Sequence, residues 1–139
     1  MAVVSRELTC RTRGNGDTID ITSDAARIVR ESGVQSGVIT LFVPGSTGGL
    51  TTIEFEPGAV SDLMRVFDEV VPSDRDYQHH LRWGDDNGHS HVRAALLGPS
   101  LSVPFVEGEL SLGTWQQIVF IDFDTRPRTR RLVAQIIGE

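Results

Sequence analysis

Gly37-Val38-Ile39-Thr40-Leu41-Phe42-Val43 is a run without a charge, and four of its seven residues are β-branched. A short apolar run of that kind predicts a buried central strand. The flanking segments extend the pattern. Val3 to Arg11 alternates loosely, as an edge strand does. Arg13-Gly14-Asn15-Gly16-Asp17 has the composition of a turn, and Thr18 to Ile21 reads as a short strand closing a first hairpin. Thr22 or Ser23 can cap a helix, with Asp24 in its first turn. Ala25, Ile28 and Val29 give that helix an apolar stripe, and Gly33 ends it.

On the other side of the run stands Pro44-Gly45-Ser46-Thr47-Gly48-Gly49. Such a segment is either a tight turn or a cradle whose backbone N–H groups hold an anion, with Ser46 and Thr47 as ligand contacts. It has no P-loop lysine, and Leu50 to Glu54 reads as a strand rather than a helix. Pro57 or Gly58 opens a second helix. Val60, Leu63, Met64, Phe67 and Val70 form its apolar stripe, and Pro72 stops it.

After a polar segment, Asn87 is placed to cap a helix through Leu97, ended by Gly98-Pro99. Leu101 to Val106 reads as a strand with Pro104 at an edge or bulge. Thr114 to Phe123 reads as a long strand, Asp124 to Pro127 as a turn, and Arg128 to Ile137 as the last strand. Strands, a helix, strands, helices and then a β meander predict an α+β domain over residues 1–139. Its frame is an antiparallel β-sandwich carrying two to three helices.

The 139 residues suffice for one domain with a real core, and 39% hydrophobic with 23% charged is ordinary for a globular protein. A net charge of −6 and a pI near 5.1 argue against a nucleic-acid partner. Cys10 is the single cysteine, so neither an internal disulfide nor a cysteine-based zinc site is expected. Met1 to Glu7 has no signal-peptide pattern, and no apolar run reaches membrane-spanning length. The expectation is a cytoplasmic protein with no membrane partner.

Tyr77 to His91 is the stretch richest in chemistry. It holds all four histidines together with Asp85, Asp86, Asn87 and Trp83. It reads as a long polar loop running into the Asn87 helix, and such loops are usually functional. On that helix His89 and His91 sit in the positive first turns, which lowers a histidine pKa and favours the neutral ligating form. Two positions apart diverge by about 200°, so one points in and one out. With Val92, Ala95 and Leu96 taken as the packed side, His91 is the inward residue. His79 and His91 with Asp85, Asp86 or Glu54 would suit Zn²⁺ with an open position for water. Trp115 and Gln116 form a second polar-aromatic cluster, either lining a pocket or buried with a satisfied indole. Arg126, Arg128, Arg130 and Arg131 either recognise phosphate or form the solvated face of an edge strand.

Four segments together carry a resemblance. They are Tyr77-Gln78-His79, Asp85-Asp86-Asn87 with His91-Val92-Arg93-Ala94, Leu97-Gly98-Pro99-Ser100-Leu101, and Gly108-Glu109-Leu110-Ser111-Leu112-Gly113-Thr114-Trp115-Gln116. The chain resembles the YjbQ family over nearly its whole length. The resemblance implies a small α+β fold with a distorted β-sandwich, assembled as a homotrimer with the pocket at or near the subunit interface. It also implies a weak, secondary thiamine-phosphate synthase activity, joining a pyrimidine pyrophosphate to a thiazole phosphate. It places His79 and His91 in the pocket, with a third histidine after the central strand where this chain has Gly45. Glu54, Asp86, His80 and His89 are the candidate substitutes.

On that reading His79, His91 and Asp86 are catalytic, and Ser46, Thr47, Glu54, Asn87, Trp115 and Gln116 bind ligand. Trp83 or Trp115 supplies an aromatic wall, and a divalent metal (Zn²⁺ or Mg²⁺), arginines and helix N-termini neutralise the pyrophosphate. Phosphate-ester hydrolysis at the same pocket fits the residues too. The other readings are a non-catalytic trimer that binds a metal or a small phosphorylated ligand, and a purely structural trimer.

Overall fold

The computed structural model describes residues 1–139, the side chain of Trp83 excepted. The elements run β1 (Ala2–Thr12), β2 (Asp17–Asp20), α1 (Thr22–Ser32), β3 (Gly37–Phe42), β4 (Gly48–Ile53), α2 (Pro57–Val70), α3 (Gln78–Trp83), α4 (Gly88–Leu97), β5 (Ser100–Val106), β6 (Glu109–Leu110), β7 (Gln117–Asp122) and β8 (Arg128–Gly138). The strands make a five-stranded sheet, β1-β8-β3-β5-β6, and a three-stranded sheet, β2-β7-β4, antiparallel throughout. The α+β sandwich is thus as expected, with one helix more than the sequence suggested.

Strand β7 holds the layers together. Ile118 and Phe120 face the large sheet and pack with Leu8, Ile39, Leu41, Phe105, Leu132 and Ile136. Val119 and Ile121, with Phe123 beyond the strand, face the helices and pack with Phe67 and Ala94. Ile118 to Ile121 have no exposed surface. The strand buried on both faces is therefore β7. Strand β3 is central in the large sheet, but Val38 and Phe42 on its outer side remain exposed, because no element of the chain covers that face. Observed β7 is shorter than the predicted Thr114–Phe123 strand, since Gly113 to Gln116 forms a turn closed by Gln116 N–H on Gly113 O.

The first hairpin does not form. β1 pairs with β8 along its whole length, whereas β2 pairs with β7 in the other sheet. Gly14 and Gly16, at φ 76° and 87°, carry the chain across from one sheet to the other. The α1 cap also differs. Neither Thr22 nor Ser23 caps the helix; Asp20 accepts from the Thr22 N–H and hydroxyl, and Thr22 Oγ1 accepts from the Ile118 N–H. At α2, Glu56 accepts from the Gly58 and Ala59 N–H groups, which hold its carboxyl below the usual range. Phe67 is the buried residue of its stripe, while Val70 stays exposed. Among the described residues no helix is long and apolar enough to cross a membrane.

Candidate functional site

The helix expected from Asn87 to Leu97 is α4, and the polar segment before it, expected as loop, forms a further helix, α3. α3 is short, and Gly84 at φ 75° ends it with its N–H on His80 O. His80 Nε2 accepts from the Tyr77 N–H at 3.1 Å, so its proton sits on Nδ1. Gly88 brings the two helices together: a Cβ there would run into the Tyr77 Cβ and lie 3.4 Å from His80 Nδ1.

The packed side of α4 is His89, Ser90, Arg93 and Ala94. Val92, Ala95 and Leu96 face solvent, and His89 rather than His91 is the fully inward histidine. Apolar periodicity could not give this answer, because the buried face includes an arginine. Arg93 donates through Nε and Nη2 to Val71 O at 3.0 and 2.8 Å, and through Nη2 to Asp68 at 3.0 Å, clamping α4 to the end of α2. Burial, with the Arg93 charge, holds the His89 pKa below its ordinary value, which favours the neutral ring.

Among the described residues, five buried polar atoms around this junction lack a hydrogen-bond partner: His79 Nδ1, His80 Nδ1, Asn87 Oδ1, His89 Nδ1 and Ser90 Oγ. Such atoms are rare in folded proteins, and their concentration here marks a place where waters or a ligand complete the bonding. His79 and His91 face one another with ring centroids 4.3 Å apart. Asp85 stands behind His79, Oδ1 to Nδ1 at 3.2 Å, in ion-pair range but off the hydrogen-bonding direction. His91 lines a cavity of about 350 Å³ with Gly45, Ser46, Gly48, Ala94, Ala95 and Pro99. The segment after β3 and the first turn of α4 thus meet at one cleft.

Beneath the cleft lies a polar network. Arg130 is not on a solvated face; it is buried. Nε and Nη2 pair with the two Asp122 oxygens at 2.9 and 2.8 Å, and Nη2 also donates to Thr47. Thr12 donates to Asp122, and Thr47 and Arg128 to Asp124. Asn87 does not cap α4 with its side chain; Nδ2 reaches Asp124 Oδ1 at 3.3 Å. Burial pushes both carboxyls up, but these bonds outweigh it and hold both below the usual range. The sequence did carry a signal for Arg130. It shares strand parity with Leu132, Ala134 and Ile136, which all point into the core.

The predicted site residues divide accordingly. His91 and Ser46 line the cleft, His79 stands against His91 without entering its lining, and Thr47 and Asn87 belong to the network beneath it. Asp86 is exposed and makes no bond among the described residues, so Asp85 is the acid at the histidines. Glu54, Trp115 and Gln116 lie elsewhere. Gln116 bonds Thr52, near the end of β4 remote from Gly48, roughly 13 Å along the strand at about 3.3 Å per residue. Trp115 is not a core residue; it is 72% exposed. The side chain of Trp83 lies outside the described residues.

Among the described residues no three His, Cys, Asp or Glu side chains converge to hold a metal. His79 and His91 are two imidazoles without a third donor, and Gly45 supplies none. A zinc site built from one chain does not fit this arrangement.

The model for the family of UPF0047 YjbQ-like proteins matches residues 6–139. A UPF0047 protein of Methanothermobacter thermautotrophicus is 37% identical over 139 residues, covering 100% of this chain and 95% of the relative. The UPF0047 protein YugU of Bacillus subtilis is 34% identical, covering 96% and 98%. The crystal structure of a YbjQ-like protein of unknown function from Sulfolobus solfataricus superposes with a TM-score of 0.94 at 32% identity, covering 99% of each chain. A YjbQ/UPF0047 protein from Clostridium acetobutylicum superposes at 0.87 with 37% identity, covering 95% and 99%.

Proposed function

Because the chain belongs to the UPF0047 YjbQ-like family, we propose that the cleft of His79, His91 and the Gly45–Ser46 segment takes a small phosphorylated molecule and carries thiamine-phosphate synthase-type transfer. The observation behind this is the histidine pair, 4.3 Å apart, with Asp85 behind His79. In the reaction the thiazole nitrogen attacks the pyrimidine methylene carbon. The carbon–oxygen bond to pyrophosphate breaks, and pyrophosphate leaves with the electron pair. No proton need be removed from the nucleophile. The chain must therefore orient two rings and stabilise negative charge on the leaving oxygen. The His79 and His91 imidazoles stand together where that charge would be faced, with Asp85 behind His79.

The test is formation of thiamine phosphate from the two precursors with Mg²⁺ present. The His91→Ala variant is expected to be slower by about a hundredfold or more. Equal rates would show that the chemistry lies elsewhere. One observation favours a non-catalytic binding reading instead: Gly45 leaves the cleft an imidazole short. In that case pyrimidine pyrophosphate binds in a His91-dependent manner with no product from wild type.

We further propose a homotrimer with the cleft near a subunit boundary. The support is the outer face of the large sheet. Thr40, Phe42, Val133, Gln135 and Ile137 line a groove there of about 390 Å³, and Val3 and Val38 are also exposed. A second copy would cover this apolar face and bring in an exposed Trp115. Light scattering should give three times the 15.2 kDa chain mass; a monomer or dimer mass ends the claim.

A further inference from the structure

The β3–β8 ladder ends at Phe42↔Val133. Past that pair β3 turns away at Pro44, while β8 runs on toward Arg128, paired on its other side with β1. The divergence opens a cleft of about 290 Å³ lined by Val43, Pro44, Arg128, Thr129, Arg130 and Arg131. We propose that this cleft is a phosphoryl-binding subsite, with Arg130 Nη1 as its fixed donor and Arg131 as its source of unpaired charge.

Arg130 is built for such a role. Asp122 holds Nε and Nη2, and Thr47 also accepts from Nη2, so the guanidinium plane is fixed. Neither partner occupies Nη1, which lies toward Gly45. A Cβ at residue 45 would stand 3.1 Å from it, so glycine leaves that nitrogen uncovered. A guanidinium oriented by a buried carboxylate gives directed donors without a further ordering cost on binding.

The charge balance also favours an anion. Asp122 offsets Arg130 and Asp124 offsets Arg128. Arg131 is exposed and makes no ion pair among the described residues, which leaves one net positive charge at the cleft of a chain carrying −6 overall. Arg130 and Arg131 leave the strand on opposite faces. Donors arriving from two sides suit a tetrahedral phosphoryl group better than a planar carboxylate, which a single fork satisfies.

The cleft adjoins the histidine site. Val43 and Pro44 wall it, while the next two residues, Gly45 and Ser46, wall the cavity of His91. A ligand could anchor its phosphate on the arginines and present its other end to the histidines. The subsite itself does not rest on turnover, and its test is kept separate from the synthase assay.

The experiment is calorimetric titration of the full chain with inorganic phosphate, and with acetate as the carboxylate arm, at ionic strength fixed with chloride. Phosphate should bind more tightly than acetate. Arg131→Ala, at an exposed position that preserves the fold, should weaken phosphate by about tenfold or more. Gly45→Ala should weaken it too, by covering Nη1. His91→Ala should leave phosphate affinity within about twofold, whatever it does to synthesis. Unchanged binding in Arg131→Ala overturns the proposal. So does equal affinity for phosphate and acetate, or a loss that appears only in His91→Ala, which would put the anion among the histidines.

Discussion

Replacing Asp122 with alanine is expected to cost about 3–5 kcal/mol of folding stability. Asp122 has no exposed surface, and its partner Arg130 is 4% exposed. The substitution strands a buried guanidinium and removes the acceptor of the Thr12 hydroxyl and of the Asp124 N–H. Removing one member of a buried pair is far more damaging than removing both. The Asp122→Ala, Arg130→Met double variant should therefore recover part of the loss. Urea unfolding of the three proteins measures this, and a loss under about 1 kcal/mol for the single variant would contradict the pairing.

A pH signature accompanies it. The folded Asp122 carboxyl titrates below its ordinary value. Its stabilisation is thus complete above the unfolded pKa, about 3.9, and is lost as pH falls from there through the folded pKa. Below about pH 4 the wild type should lose stability more steeply than Asp122→Asn.

The second large effect is expected at the other end of β8. Gly37 and Gly138 face each other across the β3–β8 ladder. A Cβ on Gly138 would overlap Ser36 O and come 2.8 Å from the Gly37 Cα; one on Gly37 would overlap Ile137 O and come 2.8 Å from the Gly138 Cα. These are backbone atoms, so no rotamer change relieves the clash. They also belong to a reciprocal set of bonds: Gln35 and Ser36 N–H donate to Glu139 O, and Glu139 N–H to Ser36 O. Gly138→Ala is expected to cost about 2–3 kcal/mol by forcing the strands apart. That should lower Tm by roughly 10 °C at a few degrees per kcal/mol. A change of less than 2 °C would mean the strands can separate there at little cost.

The sequence revealed most where side chains repeat with a clear period. The apolar run of β3, the stripe of α2 and the alternation of β8 each identified its element. It failed where the deciding partner lies far along the chain. The Arg13–Asp17 turn looked like a hairpin because a turn signal is local, whereas β1 finds its partner in β8, over a hundred residues later. The inward histidine was misread because α4 buries Arg93, whose bonds to Val71 and Asp68 suit it for burial and are invisible in the sequence. At the cleft, His79, His91 and Ser46 were legible as residue types. Asp85 was not separable from Asp86, since only the path of the chain after Gly84 decides which one faces His79.

The pairing of β1 with β8 also bears on how the protein is made. Their eleven-position ladder joins the first strand of the fold to its last, across the roughly 115 residues between Thr12 and Arg128. Closing a loop of that size costs on the order of 4 kcal/mol in chain entropy before the ladder returns anything. During synthesis β1 leaves the ribosome before β8 and waits, partnerless, until the residues between them have followed. Over that interval its hydrogen-bonding groups are open to strands of neighbouring nascent chains, so the period before β8 emerges is when this fold is most exposed to mispairing.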